Sequence, residues 1–117
     1  MAAKTDPAKL ARQARDLIEE FNRVVLADAK GMSAPALSEA TQALKSLVDR
    51  LPQAFEQTAD VLELLAANDK IALEQGRAPK AEVATTAAEL RTTAADSEQL
   101  AKSLANPASA LFLMGGR

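Results

Sequence analysis

A heptad repeat in the last third of the chain limits the folds available to it more than any other feature. From residue 83 to residue 104, apolar and small side chains recur at steps of four and three residues. A strict seven-residue repeat keeps one stripe of a helix facing a partner helix. Small residues alternate with larger ones, so the repeat predicts two helices packed at close distance. Its members, called the seam below, are Val83, Ala87, Leu90, Ala94, Ser97, Ala101 and Leu104.

Two kinds of partner are open to the seam. A helix of the same chain would make it the interior of a bundle, whereas a helix of a second protein would make it an interaction surface. Four threonines beside the seam are mediocre helix formers, so packing must support this helix in either case. Internal packing is favoured, because it is the usual source of helix stability in proteins. These threonines are Thr85, Thr86, Thr92 and Thr93.

The composition is typical of long helices. The chain has 117 residues, which is enough for one domain with one core. It has three Phe, no Trp and no Tyr, whereas aromatic residues usually dominate cores by buried area. Stability therefore has to come from many close helix–helix contacts between Leu, Val and Ala side chains. We expect an all-α fold.

Capping signals place the first helix over residues 7–30. Asp6 can accept from the free N–H groups of the first turn, and proline is favoured at the first helical position. Gly31 follows Lys30 and ends the helix. The apolar stripe of this helix consists of Leu10, Ala14, Leu17, Phe21 and Val24, widened by Ile18 and Val25.

The second helix is predicted over residues 34–75, with Ser33 as its cap and a glycine after its end. Pro52 lies inside it, at a cost of about 3 kcal/mol. The apolar stripe crosses this proline in phase, from Leu51 to Phe55, so the sequence favours a kinked helix. A full break at Leu51 is the alternative. The stripe consists of Leu37, Ala40, Leu44, Leu47, Leu51, Phe55, Leu62 and Leu65.

The third helix is predicted from Pro79 to Ala105, where Asn106 and Pro107 stop it. Short connections make neighbouring helices antiparallel. The predicted fold is therefore an antiparallel up-down helical bundle of three long helices with coiled-coil-like packing. It has four helices if Pro52 breaks the second. In the kinked form, we expect the first helix to cover the first half of the second helix and the third to cover the other half.

A short apolar segment follows this bundle. We divide the chain into a helical bundle domain, residues 1–107, and an apolar C-terminal tail, residues 108–117. The tail continues the register of the seam and carries four large side chains that something must bury. Docking within the protein or its dimer is favoured, and docking on a partner protein is the alternative. The four side chains are Leu111, Phe112, Leu113 and Met114.

The residue inventory excludes most catalytic chemistry. The chain has no histidine and no cysteine, which removes serine–histidine and cysteine–histidine catalysis, imidazole metal sites and histidine phosphotransfer. Glu56, Asp60 and Glu63 share a helical face and could hold a hard cation. That face lies opposite the apolar stripe, where solvated acidic residues are expected, so we predict no metal site. We expect no cofactor and no enzymatic activity.

The charge pattern bears on partners and location. The net charge is −2, which argues against a dedicated nucleic-acid binder. No apolar run is long enough to cross a bilayer, and no apolar stretch follows the charge near residue 1, which indicates a cytoplasmic protein without a membrane partner. A small basic cluster is followed at once by Asp16, Glu19 and Glu20, as on a solvated helix face. This cluster is Lys4, Lys9, Arg12 and Arg15.

These observations predict a non-enzymatic helical module for protein–protein interaction or scaffolding, as a homodimer or with another helical protein. The interaction surface would be the seam together with residues 111–114. The alternative is a small helical regulator that reaches nucleic acid through a partner, using the basic cluster. Salt-dependent DNA binding would distinguish this alternative, because phosphate contacts weaken steeply as salt rises.

Overall fold

The computed structural model describes residues 6–115 and contains helices and turns but no strand within them. The expectation of an all-α fold is confirmed. Two single turns of 3-10 helix, Ala29–Gly31 and Glu74–Gly76, lie in the connections. The α-helices are α1 (Pro7–Ala27), α2 (Ala34–Asp49), α3 (Leu51–Ala67) and α4 (Lys80–Phe112).

Three of the helices, α2, α3 and α4, pack against one another. The 33 residues of α4 correspond to a length of about 50 Å, which matches α2 and α3 placed end to end. The partners of α4 shift steadily along its length, since Arg91 pairs with Asp60 and the Ala108 carbonyl accepts from Gln42. α4 therefore returns along α3 and then along α2. We call this arrangement the hairpin.

The chain continues past Pro52 without reversing direction. Arg50 separates α2 from α3 but keeps right-handed helical angles, with φ −92° and ψ −11°. Its N–H donates to the Leu47 carbonyl at 3.1 Å, and its own carbonyl accepts from Ala54 at 3.3 Å. Because both segments lie along α4, the expectation of a kink describes this region better than a turn into two hairpins.

The predicted end of the second helix at Gln75 is wrong, since α3 ends at Ala67. Asp69 adopts a left-handed conformation with φ 55°. The Lys70 N–H then donates to the Leu65 carbonyl at 2.9 Å, and the Asp69 N–H donates to the Ala66 carbonyl at 3.1 Å. This is a Schellman termination in which aspartate takes the position usually held by glycine.

The predicted stop at Asn106 and Pro107 is also wrong, because α4 continues to Phe112. Proline lacks the N–H that would reach back to the Ser103 carbonyl, so one helical hydrogen bond is missing. Ala108, immediately after it, is buried against α2, and its carbonyl accepts from the Gln42 side chain at 3.3 Å. Packing and this bond offset the cost of the proline. The boundary that we drew at residue 107 therefore lies inside a helix.

The first helix does not cover the second. α1 has no buried residue and packs extensively on none of the other helices. The radius of gyration is 19.4 Å, whereas a compact domain of this length would have about 13 Å. Its end also differs from the prediction, since α1 stops at Ala27 and Ala29–Gly31 forms the 3-10 turn. α1 thus projects from the hairpin.

Candidate interaction face

A row of alanines contains the most deeply buried residues of α4. Ala87 and Ala94 are 0% and 2% exposed, and Ala101 and Ala108 are buried as well. The opposing row contains Ser38 and Ala59, which are also buried small residues. Small side chains in both rows let the two backbones approach each other. The seam therefore faces α2 and α3 of its own chain, which is the internal alternative of the sequence analysis.

The hairpin has two unlike sides, one on each side of this alanine row. On a helix, residues three and four positions after a given residue lie to opposite sides of it. Leu90 and Leu104 follow an alanine of the row by three positions and are half-buried. Arg91 and Glu98 follow an alanine by four positions. The larger residues of the seam therefore lie on one side and charged residues on the other.

The charged side is organised around Arg91. Its guanidinium lies 2.9 Å from Asp60 and 3.6 Å from Glu56, and it also pairs with Glu63. The hydrogen bond from Arg91 holds the pKa of the Glu63 carboxyl below its ordinary value. Hydrogen bonds to Glu63 and Asp60 in turn raise the pKa of Arg91. The acidic face considered for a cation in the sequence analysis is thus turned toward a cation of the protein itself, across the helix interface.

We expect the Arg91→Gln variant to unfold at lower urea concentration than the wild type at pH 7. The difference should shrink as the pH falls through and below 4.5, the ordinary pKa of Glu63. A carboxyl whose pKa is lowered by folding contributes stability above its unfolded pKa and loses it as it becomes protonated. Urea unfolding at pH 7 and pH 3 measures the effect.

Lys102→Gln is the matched control for this variant. Lys102 pairs with Glu98 at 3.7 Å within one turn of α4, so its ion pair does not join two helices. Such pairs contribute only a few tenths of a kcal/mol. A stability difference for Arg91→Gln that stays constant between pH 7 and pH 3, or one no larger than that of the control, would contradict an ionic contact between the helices.

The other side of the hairpin is a charge-free surface that we call the apolar face. Three rows form it, each with a seven-residue spacing, and none contains a charged residue. Helical geometry places these rows opposite the charged side, because Glu56 and Glu63 occupy the other flank of α3. The rows are Leu37, Leu44, Leu51, Thr58 and Leu65; Thr41, Val48, Phe55 and Leu62; and Val83, Leu90, Ser97, Leu104 and Leu111.

The large side chains of the apolar face are incompletely covered. Leu44, Leu51 and Phe55 are half-buried, and Leu37 and Leu65 are exposed. Within residues 6–115, no large side chain is fully buried. In the structure, the buried positions of the hairpin belong to alanine and serine, with Val83, and the leucines lie at the edge.

The four large side chains of the predicted tail differ in their exposure. Leu111 is half-buried and extends the third row of the apolar face. Phe112 and Met114 are exposed beside a shallow cavity lined by Pro35 and Ser38 among others. Leu113 is 83% exposed. The four side chains therefore do not form one patch, although they are adjacent in sequence.

The basic cluster is only partly placed by the structure. Lys4 lies outside the described residues. Arg15 pairs with Asp16 at 2.9 Å, and Arg12 lies 4.0 Å from Asp6. These pairs give the cluster a mixed charge on α1, as on the solvated face that the sequence indicated.

The apolar stripe of α1 is a second surface without extensive cover. Leu17 is 69% exposed, and Leu10 and Val24 are exposed as well. Ile18 and Phe21 are half-buried. Asp6 caps this helix as expected, its Oδ1 accepting from the Ala8 N–H at 3.0 Å.

Comparisons of the chain with protein-family models, with curated proteins and with solved structures find no significant match. Among residues 6–115, no helix combines the length and the apolarity that crossing a membrane requires.

Proposed function

We propose that this protein is a non-enzymatic module for protein–protein interaction and that the apolar face is its binding surface. The observation that carries this proposal is the set of three uncharged rows, which run the length of the hairpin and are only half-covered. Two helices of about 50 Å that lie side by side have, on one side of the pair, a footprint of roughly 1,000 Å². Soluble monomers rarely expose contiguous apolar patches larger than a few hundred Å².

The spacing of the rows defines the kind of partner. On the apolar face, both the α2–α3 pair and α4 carry a seven-residue repeat. A helical surface with its own heptads fits such rows by coiled-coil-like packing, with side chains of one surface inserted between those of the other. The partner, a second copy or another helical protein, then completes an antiparallel bundle whose interior contains Phe55, Leu62, Leu90 and Leu104.

The chemistry of the chain supports an interaction module over an enzyme. Histidine and cysteine, the commonest general base and the strongest common nucleophile, are absent from the sequence. The three carboxylates that come together in the structure are bound to Arg91 on an open surface. Glu63 and Asp60 accept hydrogen bonds from the Arg91 guanidinium, and Glu56 lies within ion-pair distance of it, so these groups are engaged by the protein itself.

Site-specific photo-crosslinking in the native host tests this proposal. Leu100 and Lys102 lie one residue before and one residue after Ala101 of the alanine row, and both are exposed. Leu100 borders the apolar face, whereas Lys102 is on the charged side. A benzophenone amino acid at position 100 should give a discrete cross-linked protein product, and the same probe at position 102 should give none. Equal products from both positions, or no product from position 100, would exclude the apolar face as a binding surface.

A further inference from the structure

We infer that a second copy of this chain covers the apolar face, so that two hairpins form a four-helix bundle related by a two-fold axis. This inference rests on the proposed function of that face and names its occupant. It uses the charge of the face, its length and the area that it offers.

The distribution of charge favours contact of the face with itself. In a two-fold interface, the same patch serves both partners, so a charge near the axis meets a like charge. None of the residues in the three rows is charged. Arg91, Glu56 and Glu63 are kept on the opposite side by contacts within the chain. The three rows of two copies therefore bring no like charges together.

The length of the face also fits a second hairpin. α4 and the α2–α3 pair both measure about 50 Å, so a second copy covers the face from end to end. α1 has 21 residues, or about 31 Å, and would leave about two fifths of that length open. The connection of α1 to α2 is short, and in the structure α1 does not lie on the hairpin.

The area of the face is sufficient for a stable dimer. The estimate of about 1,000 Å² per copy exceeds the ~800 Å² per partner of a standard interface. The leucines and Phe55 on it are the large apolar residues that obligate dimers bury at their centre. Leu37, Leu51, Leu65 and Leu104 would pass from partial to complete burial.

Sedimentation equilibrium of the purified full chain tests the inference. We expect the wild type to have twice the chain mass of 12.3 kDa. Leu104→Glu places like charges in the interface of both copies, so we expect its dissociation constant to rise at least about 100-fold. Lys102→Glu, on the charged side of the same turn, should leave the dissociation constant within about threefold of the wild type.

A mixing experiment keeps the inference testable if Leu104→Glu alone fails to fold. Leu104→Lys should be impaired in the same way as Leu104→Glu. An equimolar mixture of the two should regain helicity and the mass of a dimer, because opposite charges now meet across the axis. A mixture that stays monomeric or unfolded would overturn the inference. So would equal effects of Leu104→Glu and Lys102→Glu.

The results also separate failure of the inference from failure of the proposed function. A wild type that is monomeric at every concentration overturns the inference, including the case of a compact monomer in which α1 has folded onto its own hairpin. If the probe at position 100 then cross-links a different polypeptide, the apolar face is still an interaction surface. If it cross-links nothing, both proposals fail.

Discussion

Replacing Ala94 with Leu is expected to lower the free energy of unfolding by about 1–3 kcal/mol, as overpacking of a close contact does. Ala94 is 2% exposed and lies within the alanine row, which faces the α2–α3 pair. Three additional carbon atoms have no space there, so the helices must separate along much of their length. Chemical denaturation followed by circular dichroism measures the loss, and light scattering detects any change of mass.

Ala95→Leu is the control for this substitution. It adds the same atoms to the next residue of α4, which is exposed. Its effect should stay within about 0.5 kcal/mol, as for other surface substitutions. If the two variants have equal stability and equal mass, the alanine row does not set the distance between the helices.

Deleting residues 108–117 is expected to cost about 2–3 kcal/mol and to lower the melting temperature by about 10 °C. The deletion removes Ala108, which is buried, and Leu111, which is half-buried on the apolar face. It also removes the hydrogen bond in which the Gln42 side chain donates to the Ala108 carbonyl at 3.3 Å. The start of α2 then loses the part of α4 that covers it. Thermal unfolding of both chains gives the comparison.

A shorter deletion, of residues 113–117, separates this packing from any general effect of truncation. The residues it removes within the described range include Leu113 and Met114, which are exposed. We expect a change below about 0.5 kcal/mol. Equal losses from the two deletions would contradict the burial of Ala108. Amide exchange gives an independent measurement, because the Leu111 N–H should be protected by the helix that extends past Pro107.

The sequence predicted the features of the hairpin that depend on local signals. Asp6 and Ser33 were identified as caps, and the Ser33 hydroxyl does accept from the Ala36 N–H, at 3.2 Å. The seam was identified from its heptads, and every member is buried or half-buried in the structure. Heptad spacing follows directly from helix–helix contact, so the seam can be recognised from a single sequence.

The C-terminal ends of the helices were harder to predict, because the Gly or Pro in the sequence and the contacts in the structure favour different end points. Gly76 predicts the end of the second helix, but the helix ends earlier, because Asp69 adopts the left-handed conformation, which aspartate tolerates. Pro107 predicts the end of the third helix, but the burial of Ala108 outweighs one missing hydrogen bond. Local propensity is a weak prior when a tertiary contact lies within one turn.

The contacts of Arg91 could not be predicted from the sequence. The sequence shows three carboxylates on one face of the second predicted helix and an arginine next to Leu90, but nothing links the two segments. Their meeting depends on the register between α3 and α4. For the same reason, the stripe on α1 could not reveal that it would lie away from the hairpin.

The separation of α1 from the hairpin has a consequence for folding cooperativity. Most helical stability in proteins comes from tertiary packing, so we expect α1, which packs extensively on none of the other helices, to open independently of the hairpin. Its amides should then exchange with solvent before those of α4, and its loss of ellipticity should precede the main thermal transition. Any surface that receives Leu10, Leu17 and Phe21 orders this segment as it binds. Slower amide exchange in α1 would then show that its apolar stripe is bound to another surface.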